Sequence, residues 1–316
     1  MNAAAHDLLD GLRVDAVVGP TAAGKTALSL ELAERLGAEI VSLDSMLVYR
    51  GLDIGTAKPS ALERARVPHH LIDLVDPPER YDVQRYLDDV AQVVGDLRQR
   101  GRRAFFVGGT GFYLKALCHG LFDVPRPDPQ LRAALAARAE TEGAATLHGE
   151  LARLDPPSAA RIHPNDTRRV QRALEVIEQT GTPLSQLQRQ WRDEQGARSD
   201  GRPRRLVGLQ PAPEVLERRI VDRTRKMLAA GWIEEVRAIL ASGGFGETSG
   251  QALGYPQIQA HLRGELARED LEPEIAVRTR QFARRQRTWY RHFDDIVWLD
   301  PDAPHALERA LAVIEP

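Results

Sequence analysis

Gly19 to Thr26 read GPTAAGKT, two glycines followed by a lysine and a hydroxyl residue. Glycines at this spacing let backbone amides turn inward around phosphate oxygens. The lysine adds a mobile cation, and the hydroxyl can help to hold magnesium. On this reading Gly19, Pro20, Thr21, Ala22, Ala23, Gly24, Lys25 and Thr26 cradle a diphosphate or triphosphate, with Thr26 as the candidate metal ligand. The motif specifies phosphate binding but not the reaction, because one scaffold hosts many chemistries.

Three further positions carry reactive or polar groups. Asp44, in LDSMLVYRGLDIGTAKP, is either a partner to magnesium or a general base acting on a nucleophile. Its structural alternative is a turn or helix cap, and Thr56 and Lys58 in the same segment are weaker candidates. Thr110, in VGGTGFYLKAL, follows a glycine turn that lets backbone and hydroxyl approach a ligand, so it is the candidate group for orienting a substrate. Arg219 and Arg223, four apart in ERRIVDRTRKMLAAGWIEEV, share a helical face and could clamp a diphosphate. Arg223 is the stronger choice, and the alternative is a surface row paired to Glu217 and Asp222.

The elements that must position these groups follow from the hydrophobic pattern. Val14 to Val18, Glu39 to Leu43, Arg103 to Val107, Arg205 to Leu209 and Ile296 to Leu299 read as strands. Thr26 to Leu36, Val83 to Arg100 and a long stretch from about Pro213 to Leu240 read as helices. The alternation predicts an α/β fold with a parallel sheet, helices on both faces and ligands at the carboxyl ends of the strands. Asp44 is expected on the strand next to the phosphate loop, and Asp44 and Thr110 on one sheet edge. After Phe122 the proline-rich DVPRPDP punctuates the chain, and 123–201 reads as an inserted helical domain within a discontinuous core, 1–122 and 202–316. The glycine- and serine-rich segment Ala241 to Gly250 is expected to be mobile.

Two basic stretches stand out. Arg168, Arg169 and Arg172 fall within little more than one helical turn, a pattern that also fits an ordinary solvated face. From Arg278 to Arg291, RTRQFARRQRTWYR holds six arginines, three aromatics and no acid. That combination suits an RNA backbone and splayed bases, or a helix that packs its rings inward with arginines outside.

Bulk composition sets outer bounds. The chain has 316 residues, 42% of them apolar, and a formal net charge of −2, an ordinary globular balance. No run is long enough for a membrane span and the N-terminus lacks a secretory layout, so a cytoplasmic protein is expected. A single cysteine, Cys118, excludes an internal disulfide and any cysteine-rich zinc module, and reads as a small core residue.

In chain order, GPTAAGKT, LDSMLVYRGLDIGTAKP, PHHLIDLVDP, VGGTGFYLKAL, RIHPNDTRRVQRALEV, ALGY and RQFARRQRTWYR closely resemble the tRNA dimethylallyltransferase family over nearly the whole chain. The resemblance implies a P-loop NTPase-like core. It also implies transfer of a dimethylallyl group from dimethylallyl diphosphate to the exocyclic amine of the adenosine 3′ of the anticodon, with magnesium, in tRNAs reading codons that begin with U. It assigns the diphosphate to Thr21 through Thr26 and to Arg223, the general base to Asp44, and contact with the target base to Thr110. For tRNA it marks Asp44, Ser45, Met46 and Leu47; Arg132; Arg168, Arg169, Val170, Gln171 and Arg172; and Gln251, Ala252, Leu253, Gly254, Tyr255 and Pro256. The last set is Arg284, Arg285, Gln286, Arg287, Trp289 and Arg291. Ala252 and Leu253 depart from a cysteine-containing version in some members. The absence of a zinc-finger extension leads to the expectation of the short, bacterial-type form, acting as a monomer on an anticodon stem-loop.

Two other classes share some of these features. A small-molecule or nucleotide kinase would use the same phosphate loop, acid and arginines, but has no need for two arginine-rich helices. A noncatalytic nucleotide switch gives no reason for the second glycine loop or for Arg223.

Overall fold

The computed structural model describes residues 8, 9, 11–121, 124, 125, 128–188 and 202–315. In chain order the elements are β1 (Val14–Val18), α1 (Lys25–Leu36), β2 (Ala38–Leu43), α2 (Ala61–Arg66), β3 (His69–His70), α3 (Val83–Gln99), β4 (Arg103–Gly108) and α4 (Gly111–His119). The helices α5 (Pro129–Glu142), α6 (Ala144–Leu154), α7 (Pro156–Ala159), α8 (Thr167–Thr180) and α9 (Leu184–Leu187) follow. The chain then returns to β5 (Arg204–Leu209), α10 (Pro213–Ala229), α11 (Trp232–Ala241), α12 (Tyr255–Leu262), α13 (Arg268–Tyr290), β6 (Ile296–Leu299) and α14 (Ala306–Ile314).

The chain divides into two compact units, Met1–Cys118 with Arg202–Pro316, and His119–Gly201. The first holds a six-stranded sheet in the order β3-β2-β4-β1-β5-β6, with every pair parallel. Alternation along the strands sends Ile40, Phe105, Val17, Val207 and Leu299 into one cluster with Leu30, Leu32 and Ala33 of α1 and Ala310 and Ile314 of α14. This burial of aliphatic surface is the main stabilising term for the unit. At the amino end of the sheet the acids are neutralised: buried Asp15 pairs with Arg13 and Arg103, and buried Glu39 with Arg100, Arg102 and His70.

The strand order corrects one expectation. β2, which leads into Asp44, does not neighbour β1; β4 lies between them. The register aligns Leu43, Gly108 and Val18 across the three strands, so their carboxyl ends form one edge. Gly108 permits this approach, because a Cβ there would lie 2.4 Å from the Leu43 backbone carbonyl.

Two other expectations change. The long helix from Pro213 is two helices, α10 and α11, because Gly231 adopts φ +99° and caps the second. The 241–250 segment is tied down: Gly246 donates its N–H to Pro77 O at 3.0 Å and Ser249 donates its hydroxyl to the same carbonyl at 2.5 Å.

The second unit is helical where it is described. Leu135, Leu147, Leu151, Val170, Leu174 and Val176 form its core. Asp155, fully buried, accepts the N–H groups of Ser158 and Ser185 at 3.1 and 2.9 Å, so it caps α7 and ties the end of α6 to α9. Parts of DVPRPDP, and 189–201 before the return to the sheet, lie outside the described residues.

Candidate active site

The phosphate loop occupies the turn from β1 into α1. Pro20 and Ala23 are buried, Thr21 and Ala22 half-buried, and Thr26 exposed. Gly24 caps α1 with φ +89°, a left-handed conformation that lets the loop curl over the helix amino end. The helix amino end brings a partial positive charge and unpaired N–H groups to this turn. Lys25 folds across the loop, donating from Nζ to Gly19 O at 3.0 Å and Pro20 O at 2.8 Å.

Asp44 and Thr110 meet at the ends of β2 and β4. Thr110 donates its N–H to Leu43 O at 2.9 Å. Its Oγ1 accepts the N–H of Ser45 at 3.1 Å and lies 3.4 Å from the Ser45 hydroxyl. Asp44 Oδ1 accepts the N–H of Met46 at 2.8 Å, and the Asp44 N–H donates to Ser42 Oγ at 3.2 Å. The acid is therefore oriented by its own backbone turn and by a neighbouring strand end.

Electrostatics joins this acid to two cations. Burial pushes the Lys25 ammonium down to about 8; Asp44 opposes that shift and Arg223 adds to it. Burial also lowers Arg223, again opposed by Asp44. Lys25 of α1 and Arg223 of α10 are thus both desolvated cations within electrostatic reach of Asp44 at the end of β2. Such a group can stabilise an anion and take up a proton beside it.

Four further side chains hold these segments in place: Arg219, Lys58 and Thr56, which the sequence offers as candidates for ligand contact, and Glu235, which it does not. Arg219 pairs with Asp302 at 2.5 Å, rather than with Glu217 or Asp222. Its Nη1 lies 3.6 Å from where a Cβ on Gly24 would sit, which places the guanidinium against the phosphate loop. Glu235 of α11 accepts the N–H groups of Asp53, Ile54 and Gly55 at 2.9, 2.6 and 3.3 Å, and the Tyr255 hydroxyl at 2.7 Å. It thereby ties the DIGT segment to the ALGY segment. Lys58, with a side chain 2% exposed, is bound to Asp53, Asp73 and the Tyr49 carbonyl, and Thr56 donates its hydroxyl to Leu52 O. Lys58 and Thr56 therefore shape the segment from within.

A family model described as IPP transferase matches residues 47–293, and one described as isopentenyl transferase matches residues 12–68. The chain belongs to the IPP transferase family. A tRNA dimethylallyltransferase of Methylococcus capsulatus is 46% identical over 299 residues, covering 93% of this chain and 94% of that protein. One from Syntrophobacter fumaroxidans is 47% identical, covering 94% and 86%. Among solved structures, the full-length tRNA isopentenylpyrophosphate transferase of Bacillus halodurans has a TM-score of 0.68 at 38% identity, over 96% of this chain and 94% of that one. A eukaryotic dimethylallyltransferase acting on tRNA has a TM-score of 0.79 at 29% identity, over 95% and 78%.

In this IPP transferase the residues marked for RNA divide between surface and interior. On α13, Arg284, Arg285 and Arg287 are exposed, as is Arg291 just after it, while Trp289 is half-buried and Gln286 is buried. Near α12, Gln251 and Pro256 are exposed, Leu253 is half-buried, and Ala252, Gly254 and Tyr255 are buried. Ser45, Met46 and Leu47 are half-buried beside Asp44.

In the helical unit Arg168 and Arg169 are exposed and Val170 is buried. Gln171 donates to Leu135 O at 3.3 Å. Arg132 and Arg172 both reach Glu175, a carboxylate 1% exposed, at 3.3 and 2.8 Å. These two arginines compensate a buried charge, which leaves Arg168 and Arg169 as the outward pair of that motif.

Proposed function

We propose that this IPP transferase moves the dimethylallyl group of dimethylallyl diphosphate to the exocyclic N6 of the adenosine immediately 3′ of the anticodon, in tRNAs reading codons that begin with U. The juxtaposition that carries the proposal is Asp44, fixed at a strand end by Met46, within the field of Lys25 and Arg223 beside the phosphate loop. An adenine amine is a weak nucleophile whose proton must leave as the new bond forms. In the proposed step N6 attacks the allylic carbon, the carbon–oxygen bond to diphosphate breaks, and Asp44 accepts the N6 proton. The electron pair goes to the diphosphate, where Lys25, Arg223 and loop amides stabilise the growing charge.

Thr110 would orient the base, and the target base must leave its stack to reach the pocket. The exposed arginines of α13 and the pair Arg168 and Arg169 would hold the stem-loop backbone. Thr26, exposed in the first turn of α1, would offer its hydroxyl to magnesium at the diphosphate. When bound, magnesium would neutralise charge on the leaving group. Among the described residues no helix is long and apolar enough to cross a membrane. A cytoplasmic monomer remains part of the proposal.

The test is incubation with labelled dimethylallyl diphosphate and unmodified tRNA. Label on N6 of that adenosine supports the reading. Unlabelled RNA, with phosphate instead transferred from ATP to a small acceptor, would support a kinase.

A further inference from the structure

Gln286 sits within the most basic stretch of the chain, RRQR, yet it is 7% exposed. Its Oε1 accepts the N–H of Thr21 in the phosphate loop at 2.8 Å, and its Nε2 donates to Gly109 O in the second glycine loop at 2.9 Å. One side chain thus spans two loops that are 265 and 177 residues away in sequence. Its neighbours on the same helical face reinforce the attachment. The Tyr290 hydroxyl lies 3.4 Å from Gly108 O, and the Trp289 ring packs so closely on Gly111 that a Cβ there would meet it at 2.6 Å.

We propose that Gln286 is a positioning residue for the transfer reaction, not an RNA contact: it locks the Thr21 amide to the Gly109 carbonyl and so holds the diphosphate loop in register with the loop that carries Thr110. An amide is suited to this place because it offers one acceptor and one donor at once. A buried amide that lost either partner would leave an unpaired polar group, so the two bonds hold each other's geometry. The Thr21 N–H is already engaged here, so the donors for phosphate come from the rest of the loop. The same helix presents Arg284, Arg285 and Arg287 outward, so the surface expected to meet RNA is anchored on the diphosphate cradle.

The inference rests on the prenyl-transfer reading, so wild-type labelling of tRNA is measured first; its absence refutes that reading and with it this role. The deciding variant is Gln286→Met, which keeps length and volume but removes both bonds. Gly109→Ala is the second, since its Cβ would lie 2.3 Å from Gln286 Nε2 and displace that side chain. Each is titrated with dimethylallyl diphosphate and, separately, with an anticodon stem-loop RNA, and kcat and KM are measured. The expected result is a rise of roughly tenfold or more in Kd and KM for dimethylallyl diphosphate, with stem-loop Kd within about threefold of wild type. The two substitutions combined should be less than additive. A loss of stem-loop affinity with unchanged diphosphate binding would make Gln286 an RNA contact and overturn the proposal. Unchanged values for both ligands would overturn it equally. Should Gln286→Met fail to fold, the same readouts on Gly109→Ala decide.

Discussion

Thr110 Oγ1 accepts the backbone N–H of Ser45 at 3.1 Å, so the residue after the candidate base hangs from a side chain on the neighbouring strand end. Replacing Thr110 with valine keeps the shape and leaves that N–H without its acceptor. The expected outcome is a fall in kcat of about tenfold, with KM for dimethylallyl diphosphate little changed, and rescue by Thr110→Ser. Steady-state kinetics with both substrates varied checks this.

Lys25 provides a pH signature. Its ammonium is pushed down to about 8, chiefly by burial, so the free enzyme loses that charge as pH rises through about 8. Diphosphate binding favours the charged form. Affinity for dimethylallyl diphosphate should therefore be highest below that pH and weaken above it, by at most about tenfold per pH unit. Calorimetric titrations between pH 7 and 9.5 should show this limb in wild type. Lys25→Met should bind weakly at every pH and lack the limb.

At the opposite end of the sheet, Glu39 controls stability rather than chemistry. The Arg100 guanidinium, with help from His70, lowers its carboxyl from 4.5 to about 2 against the opposing effect of burial. A depressed acid contributes stability that is fully present above its unfolded value and lost as pH falls from about 4.5 to about 2. At about 1.4 kcal/mol per pKa unit this lowering corresponds to roughly 3 kcal/mol, and less once solvent screening of the half-exposed Arg100 is counted. Denaturant unfolding at stepped pH should show Glu39→Gln less stable than wild type at pH 7, with the gap closing below pH 3.

The placement of GPTAAGKT, Asp44 and Thr110 at strand ends was legible because it is local: each needs only a short turn after a strand. Strand order was not local. Parallel strands of similar length leave the crossover order open, and β4 between β1 and β2 is marked only by Gly108, whose missing side chain admits Leu43. Gln286 was masked by its arginine neighbours, although the buried series Thr279, Ala283, Gln286 and Tyr290 carries a helical period that places it inside. Glu235 was hidden beside Glu234. The difference is their phase relative to Trp232 and Val236, which are buried on the side Glu235 shares. Glu175 lies three residues after Arg172, so a closer reading of that spacing could have paired them. The two-residue strand β3 is too short to leave a hydrophobic pattern.

The placement of Asp44 beside the diphosphate cradle is tested most directly by single-turnover transfer of labelled dimethylallyl diphosphate to unmodified tRNA, comparing wild type with Asp44→Asn. Wild type should label N6 of the adenosine 3′ of the anticodon, and the variant should be slower by at least about a hundredfold while binding the stem-loop with similar affinity. Wild-type enzyme that leaves the RNA unlabelled, or a variant that labels it at the wild-type rate, would contradict the account.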